Sequence, residues 1–347
     1  MRWIYLIWSL LFVSAVSETN FNTNVSRHDA LSEYQLFVGN IAELNPAGEV
    51  IPYTVNSPLF SNYAEKIRFI KLPPEGKVTF QDSVAFKFPI GTILVKNFFY
   101  PLDFRNPDGT RRIIETRLLV HQPDGWEAWP YIWNDEQTEA FYDPAGETKT
   151  VRYIAGNGKQ KEISYAVPNK NQCKGCHIRN EALMPVGLTA RQLNGEYDYP
   201  DGKHNQLEFW TKHGWLEGMP DLSTVPALPQ WGDPTAGTLD QRARAYLDAN
   251  CGHCHSAAGP ASTSGLFLDF FENAPAQLGV NKTPVAAGRG AGKLKFDIVP
   301  GKPEQSILVF RMKTNDPAIA MPELGREQIH TEGVALIEEW IRKGDFR

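Results

Sequence analysis

Apolar positions along this chain change their period near its middle. From about residue 31 to 167, short runs rich in aromatic and β-branched residues alternate with turn-forming dipeptides, and helical spacing is weak. Segments 84–88, 92–100, 113–120 and 126–133 are expected strands. Between them stand Pro89-Ile90-Gly91, Asn106-Pro107-Asp108-Gly109 and Pro123-Asp124-Gly125, whose residues preset or tolerate turn conformations. Asn157-Gly158, lying between 151–154 and 162–166, predicts one more hairpin because both residues accept positive φ. An antiparallel sheet or barrel is expected over 31–167. Trp129, Tyr131 and Trp133 fall on one face by the two-residue period of a strand, which favours core packing over a sugar platform or electron relay.

Beyond Val167-Pro168 the alternation stops. Residues 168–237 carry short helical patterns, such as 206–213, broken by Pro200, Pro220, Pro226, Pro229 and Pro234. Residues 238–347 are better signed. Thr238-Leu239-Asp240-Gln241 is a capping box, and Leu239, Ala243, Tyr246 and Leu247 then recur at helical spacing. A final helix shows Val334, Ile337, Trp340 and Ile341 on one face, with Thr331 as its expected N-cap and Gly344 just past its end. The fold class expected is α+β: an N-terminal antiparallel β domain at 31–167, a first irregular region at 168–237, and a mainly helical domain at 238–347.

The first residues read as an address. Met1-Arg2 is a basic start, 3–13 is an apolar run of signal-peptide length, and Ala15-Val16-Ser17 is a small-x-small cleavage site, so 1–17 are expected to be a signal peptide. The run is too short to span a membrane, and no later segment holds eighteen consecutive apolar residues. A periplasmic or otherwise exported, soluble protein is expected. The formal net charge is −5, and loss of Arg2 with the leader leaves −6. That balance disfavours nucleic-acid binding.

The chemistry lies in the cysteines. All 4 belong to two copies of one pattern, Cys173-Lys174-Gly175-Cys176-His177 and Cys251-Gly252-His253-Cys254-His255. C-x-x-C-H is a c-type haem attachment site: two thiols at this spacing reach the two vinyl groups of one haem, and the imidazole that follows lies under the iron. Zinc sites, redox dithiols and disulfides also use C-x-x-C, but each leaves both histidines unexplained. A structural zinc site places its second ligand pair about 12 to 20 residues after the first, whereas these pairs are about 78 positions apart. Two covalently attached haem c groups are therefore expected, with His177 and His255 as proximal iron ligands.

Met321, in Ala320-Met321-Pro322, stands about 66 residues beyond His255. The proline fixes φ and removes a donor, so the methionine is expected on a stiff loop as the distal ligand of the second haem rather than as core filler. The first haem has no equally clear sixth ligand. Met184, Met219 and His253 compete for that place, with His204 and His213 weaker still. His121, next to a turn, is more simply a solvated histidine than a ligand.

The run 243–255, together with Val299-Pro300-Gly301-Lys302-Pro303-Glu304 and Ala320-Met321-Pro322, resembles the C-terminal haem domain of bacterial exported diheme c-type cytochromes. Upstream, Phe88-Pro89-Ile90-Gly91-Thr92, 114–120 and Trp133-Asn134-Asp135-Glu136-Gln137 resemble the β domain that precedes the haems in one such family. The resemblance implies haem binding and electron transfer, with His255 and Met321 as ligands, and brings no partner or substrate with it.

Two classes of function follow, with a third beside them. If both irons are six-coordinate, the protein carries single electrons between redox protein partners. If the first iron is open, a peroxidase-type oxidoreductase is the alternative, because bacterial diheme peroxidases also pair a Met-ligated haem with one that opens to peroxide; no acid and base pair for that chemistry is assignable from the residues. In the third, the haems serve the β domain, which binds a substrate or docks on a larger oxidoreductase; Arg105, Arg111 and Arg112 form its only compact basic cluster, which reads as a solvated hairpin end rather than a docking patch.

Overall fold

The computed structural model describes residues 24–344 and 346. The expected leader at 1–17 lies outside the described residues. Its largest element is an open six-stranded sheet, antiparallel at every pairing, in the order β1 (Val50–Tyr53), β2 (Glu65–Lys71), β4 (Ile93–Pro101), β5 (Arg111–Gln122), β6 (Gly125–Trp133), β7 (Ala140–Tyr142). A short β3 (Val78–Thr79) lies apart and pairs parallel with Leu216–Glu217. The expected strands at 92–100, 113–120 and 126–133 thus form the sheet centre. The Asn157-Gly158 hairpin is β8 (Glu147–Ile154) and β9 (Gln160–Val167), with Gly158 at φ +77. Segment 84–88 is not a strand. Its backbone makes only isolated bridges, Lys87 with Thr79 and Ala85 with Thr189, while Phe86 and Phe88 both enter the core ahead of a proline that cannot donate to a ladder.

The sheet has two different faces. On one, Val95, Leu118, Trp129, Tyr131 and Trp133 pack under the N-terminal segment through Leu31, Tyr34, Leu36 and Leu44. The three aromatics are buried as core, and Tyr131 joins Tyr34 (2.8 Å) and the His28 carbonyl (2.7 Å) through its hydroxyl. On the other face, Ile70, Leu94, Leu119 and Ala128 share one apolar core with Cys173, Leu188, Leu207 and Trp210. That core runs across position 168. Further along the same face, Phe98, Tyr100 and Ile132 pack against Val151 and Tyr165 of the hairpin.

The second half contains α1 (Lys170–His177), α2 (Ala190–Leu193), α3 (Gln206–Lys212), α4 (Leu239–Leu247), α5 (Ile307–Met312) and α6 (Thr331–Lys343). The molecule is a mixed α+β fold, but this half is less helical than expected. Between 255 and 306 the regular elements are single 3-10 turns, Ser262–Ser264, Gly288–Ala291 and Pro303–Gln305, where Gly and Pro interrupt any longer helix. Helix α4 starts in the expected capping box, Thr238 Oγ1 accepting from the Gln241 amide (3.2 Å). Helix α6 ends at Gly344 in the left-handed conformation, as expected, but its N-cap is His330 and Thr331 is its first turn residue. Among the described residues no helix is long and apolar enough to cross a membrane.

The loop between β1 and β2 joins these parts. Thr54 and Ser57 donate their amides to the buried carboxamides of Gln206 (2.8 Å) and Gln192 (2.9 Å). Phe60 donates to Asn250 Oδ1 (2.8 Å), and Asn62 Oδ1 accepts from the amides of Glu327 (2.7 Å) and Gln328 (3.1 Å). One loop therefore ties the sheet to α2, α3 and the second cysteine motif.

Candidate functional site

Helix α1 begins at Asn169, whose side chain accepts from the Gln172 amide (2.8 Å) while Gln172 reaches back to the Asn169 amide (2.9 Å). Positions i, i+3 and i+4 of a helix share a side, so Cys173, Cys176 and His177 line one wall. Cys173 is 8% exposed and belongs to the sheet core. After His177 a two-stranded turn, Ile178–Arg179 with Ala182–Leu183, folds back, and the Met184 carbonyl stands 2.8 Å from His177 Nδ1. With Nδ1–H donated to that carbonyl, the lone pair lies on Nε2. Burial holds the His177 pKa at about 4, with Lys96, His253 and Arg117 nearby, so the ring is neutral.

The second motif leaves α4 through a π-helical turn, Asp248–Gly252, and closes with the His255 amide on the Cys251 carbonyl (2.8 Å). Two polar side chains anchor the turn: Asp248 pairs with Arg191 (2.9 Å) and accepts from the Phe270 amide (3.0 Å), and Asn250 donates to the Tyr246 carbonyl (2.9 Å). The Ser264 hydroxyl stands 3.5 Å from His255 Nδ1. All four cysteines are free thiols. Burial pushes the Cys251 and Cys254 thiols up to about 12, so both are protonated in the unmodified chain. Among the described residues no group of three or more His, Cys, Asp or Glu is arranged to hold a metal ion.

Both motifs open on one cavity of about 890 Å³, near the upper end of ordinary ligand pockets of about 300–1,000 Å³. They touch. Cys254 Sγ is 3.7 Å from the Gly175 carbonyl oxygen, and the Asn180 amide donates to the Ala258 carbonyl (3.0 Å). The sheet supplies one wall through Leu94, Lys96, Phe98, Arg117 and Leu119, and the segment around Met321 to Arg326 another. The Met321 amide donates to the Arg311 carbonyl (3.1 Å), and its side chain lines the cavity. The Met321-Pro322 peptide bond is cis.

The structure separates the candidates for the first site. His253 lines the cavity with His177, and its Nδ1 is buried without a hydrogen-bond partner. Met184 contributes its backbone carbonyl to His177, and its side chain is not part of the cavity wall. Met219 sits elsewhere, in a second pocket of about 380 Å³ with His204 and Phe209, accepting from the Thr211 hydroxyl at 3.5 Å. His213 bonds the Phe209 carbonyl (2.8 Å), and His121 stacks on Trp126 (4.5 Å) with its Nδ1 at the Phe88 carbonyl (2.9 Å). The basic cluster on the β domain is tied down: Arg105 pairs with Asp103 (2.6 Å), Arg112 pairs with Asp135, and Arg111 donates to the Glu43 carbonyl (2.7 Å).

Several cavity residues escape a reading of motifs. Lys96 and Arg117 reach it from inward positions of β4 and β5, Met312 from the end of α5, and His330 from the start of α6. His330 is 6% exposed, stacks on Phe60 (4.1 Å, 9°) and bonds Tyr246 through Nδ1 (3.0 Å). Strand parity was the available signal for the first two, since Lys96 and Arg117 share the inward parity of Leu94 and Leu119.

The residues suit a haem at each motif. Each offers two unpaired thiols at vinyl spacing beside a half-buried imidazole whose pKa is lowered by desolvation, and the cavity that they share is walled by apolar side chains and cations. No protein family, curated protein or solved structure matches this chain.

Proposed function

We propose that this protein is an exported diheme c-type cytochrome that passes single electrons between redox protein partners. One observation carries the reading: at both motifs two free thiols and a half-buried imidazole line the same cavity, with the His177 Nδ1 occupied by the Met184 carbonyl. Cys173 and Cys176 hold one haem by thioethers, and Cys251 and Cys254 the other. His177 and His255 would each supply a nitrogen to an iron, and Met321 a thioether sulfur at the second site. A haem supplies the one-electron ferric and ferrous couple there. The chain's own part is to orient and to exclude water: the Met184 carbonyl fixes the His177 ring, and Leu94, Leu119 and Leu268 keep the walls apolar.

Packing of α4 against α6 on either side of the second motif supports a cytochrome c-like unit over 238–347. The apolar run at 3–13 and the Ala15-Val16-Ser17 step support export, which suits thioether attachment outside the cytoplasm.

Intact mass and the pyridine haemochrome spectrum of the protein, made in a host that matures c-type haem, test the reading. Two haems per chain are expected, falling to one in Cys173→Ala/Cys176→Ala. A chain that carries no covalent haem sinks it.

A second reading, peroxide chemistry at the first iron, is favoured by one fact: neither the Met184 nor the Met219 side chain lines the cavity, which leaves His253 as the only one of the three expected candidates there. Cyanide decides between them. A high-spin haem that binds it selects the open site, and two low-spin haems that ignore it select the carrier.

A further inference from the structure

Three cations stand directly opposite one another across the centre of the sheet. Arg68 of β2 is paired in register with Lys96 of β4, and Lys96 with Arg117 of β5. All three share the parity of Ile70, Leu94 and Leu119, so the row is on the face that looks toward the motifs rather than on the N-terminal face. Like charges directly opposite in a sheet repel, and an unpaired cation taken out of water is costly.

Only one of the three is compensated. Arg117 pairs with Glu115, which is 0% exposed and has its carboxylate shared between Arg117 and the Tyr165 hydroxyl (2.6 Å). Arg68 is 8% exposed and makes no hydrogen bond or ion pair among the described residues. Lys96 makes no ion pair: it lies over the ring of Phe98 (5.1 Å to its centre), and the Glu115 carboxylate whose charge acts on it is already bonded to Arg117. Lys66, on the same face one step along β2, donates to the Leu59 carbonyl (2.9 Å) and adds no negative charge. Of the row, Lys96 and Arg117 line the cavity, and both stand near Cys176 and His177.

We infer that this row is an anion seat, and that its occupant is a propionate carboxylate of the haem held by Cys173 and Cys176. The inference rests on the diheme reading and adds to it: the β sheet does not merely precede the haems but neutralises and tunes the first of them. Lys96, which reaches the cavity, is a positioning residue in this sense, and Arg68, outside the cavity wall, acts through its charge on Lys96. Their positive charge on the first haem's side favours the reduced state, and the carboxylate in turn relieves their mutual repulsion.

The test uses the full-length holoprotein and its Lys96→Gln, Arg68→Gln and Lys96→Arg variants, with both haem potentials followed by spectroelectrochemistry. The haem without the methionine-to-iron band is taken as the first. Either loss of charge is expected to lower that haem's potential by at least a tenfold change in its redox equilibrium, about 59 mV for one electron. The Met-ligated haem stays where it was, and Lys96→Arg restores the first. Two bound haems with potentials indifferent to all three substitutions overturn the seat and leave the diheme reading standing. Absence of covalent haem by mass overturns both. A wild-type first-haem potential that titrates with added inorganic phosphate, and ceases to do so in Lys96→Gln, assigns the row to a free oxyanion and overturns the propionate.

Discussion

Cys254 of the second motif and Gly175 of the first are in contact, the thiol sulfur lying 3.7 Å from the carbonyl oxygen. Groups bonded to the two motifs therefore share the one cavity as close neighbours. Haems this near couple their strong transitions, so the Soret circular dichroism of the holoprotein is expected to be bisignate. Cys173→Ala/Cys176→Ala should reduce it to a single band. A single-signed band in the wild type means that the haems stand apart.

Replacing Met321 by Ala is expected to abolish the far-red methionine-to-iron band and to lower the potential of the second haem, because a thioether favours ferrous iron. Haem loading should persist, since the thioether bonds to Cys251 and Cys254 remain. Met312 is the control: it also lines the cavity but is buried among α4, α5 and α6 residues, so Met312→Leu should leave the band intact. The reverse pattern would assign the ligand to Met312.

His330 predicts an acid sensitivity. Burial holds its folded pKa at about 4, below the ordinary histidine value of 6.5; Glu332 (3.8 Å) favours the charged ring, while Lys66 and Arg326 oppose it. Between those values the unfolded chain binds more protons than the folded one, so stability is full above pH 6.5 and is lost as pH falls toward 4. The loss attributable to this group is on the order of 2 kcal/mol. His330→Gln should be the less stable protein at pH 7, through the lost Tyr246 bond and Phe60 stacking, yet should lose less on acidification. Denaturant titrations at pH 7 and 4.5 check this, and an equal gap between the two proteins at both pH values refutes it.

Two glycines that face side chains closely are expected to behave differently. A methyl group at Gly333 in α6 would enter the ring and hydroxyl of Tyr246, which is buried and fixed by His330. Gly333→Ala should cost about 1–3 kcal/mol by overpacking. At Gly175 in α1 the methyl would meet only the end of the Leu324 side chain, at 2.7 Å, and Leu324 is exposed enough to turn away. Gly175→Ala should be neutral, or more stable by up to about 1 kcal/mol from helix propensity. Thermal melts of both holoproteins decide.

Elements written in local signals were legible before the structure. Alternation and turn residues marked the sheet centre and the hairpin, the Thr238 capping box marked α4, and Gly344 marked the end of α6. Strand β2 was missed for a physical reason: Glu65–Lys71 carries Lys66 and Arg68 at inward positions, which erases the alternation that reveals a half-buried strand. Segment 84–88 erred the other way, its two phenylalanines being core anchors on an irregular backbone. The meeting of the two motifs, about 78 positions apart, is made by Cys254 against Gly175 and Asn180 against Ala258, long-range contacts that nothing local encodes. Helicity beyond residue 168 was overread because capped helices at two places were extended across Gly- and Pro-rich stretches between them.

The loop between β1 and β2 dictates an order of events in making the protein. Cys173 is closed off in the sheet core, and Asn250, immediately before Cys251, is bonded to Phe60. On the diheme proposal, an enzyme that joined haem to these thiols would need the chain around them open, so attachment would precede burial of Cys173 and docking of the loop on Asn250. Folding then becomes the step that seals finished chemistry inside, and a chain that closes early is locked out of ever acquiring it.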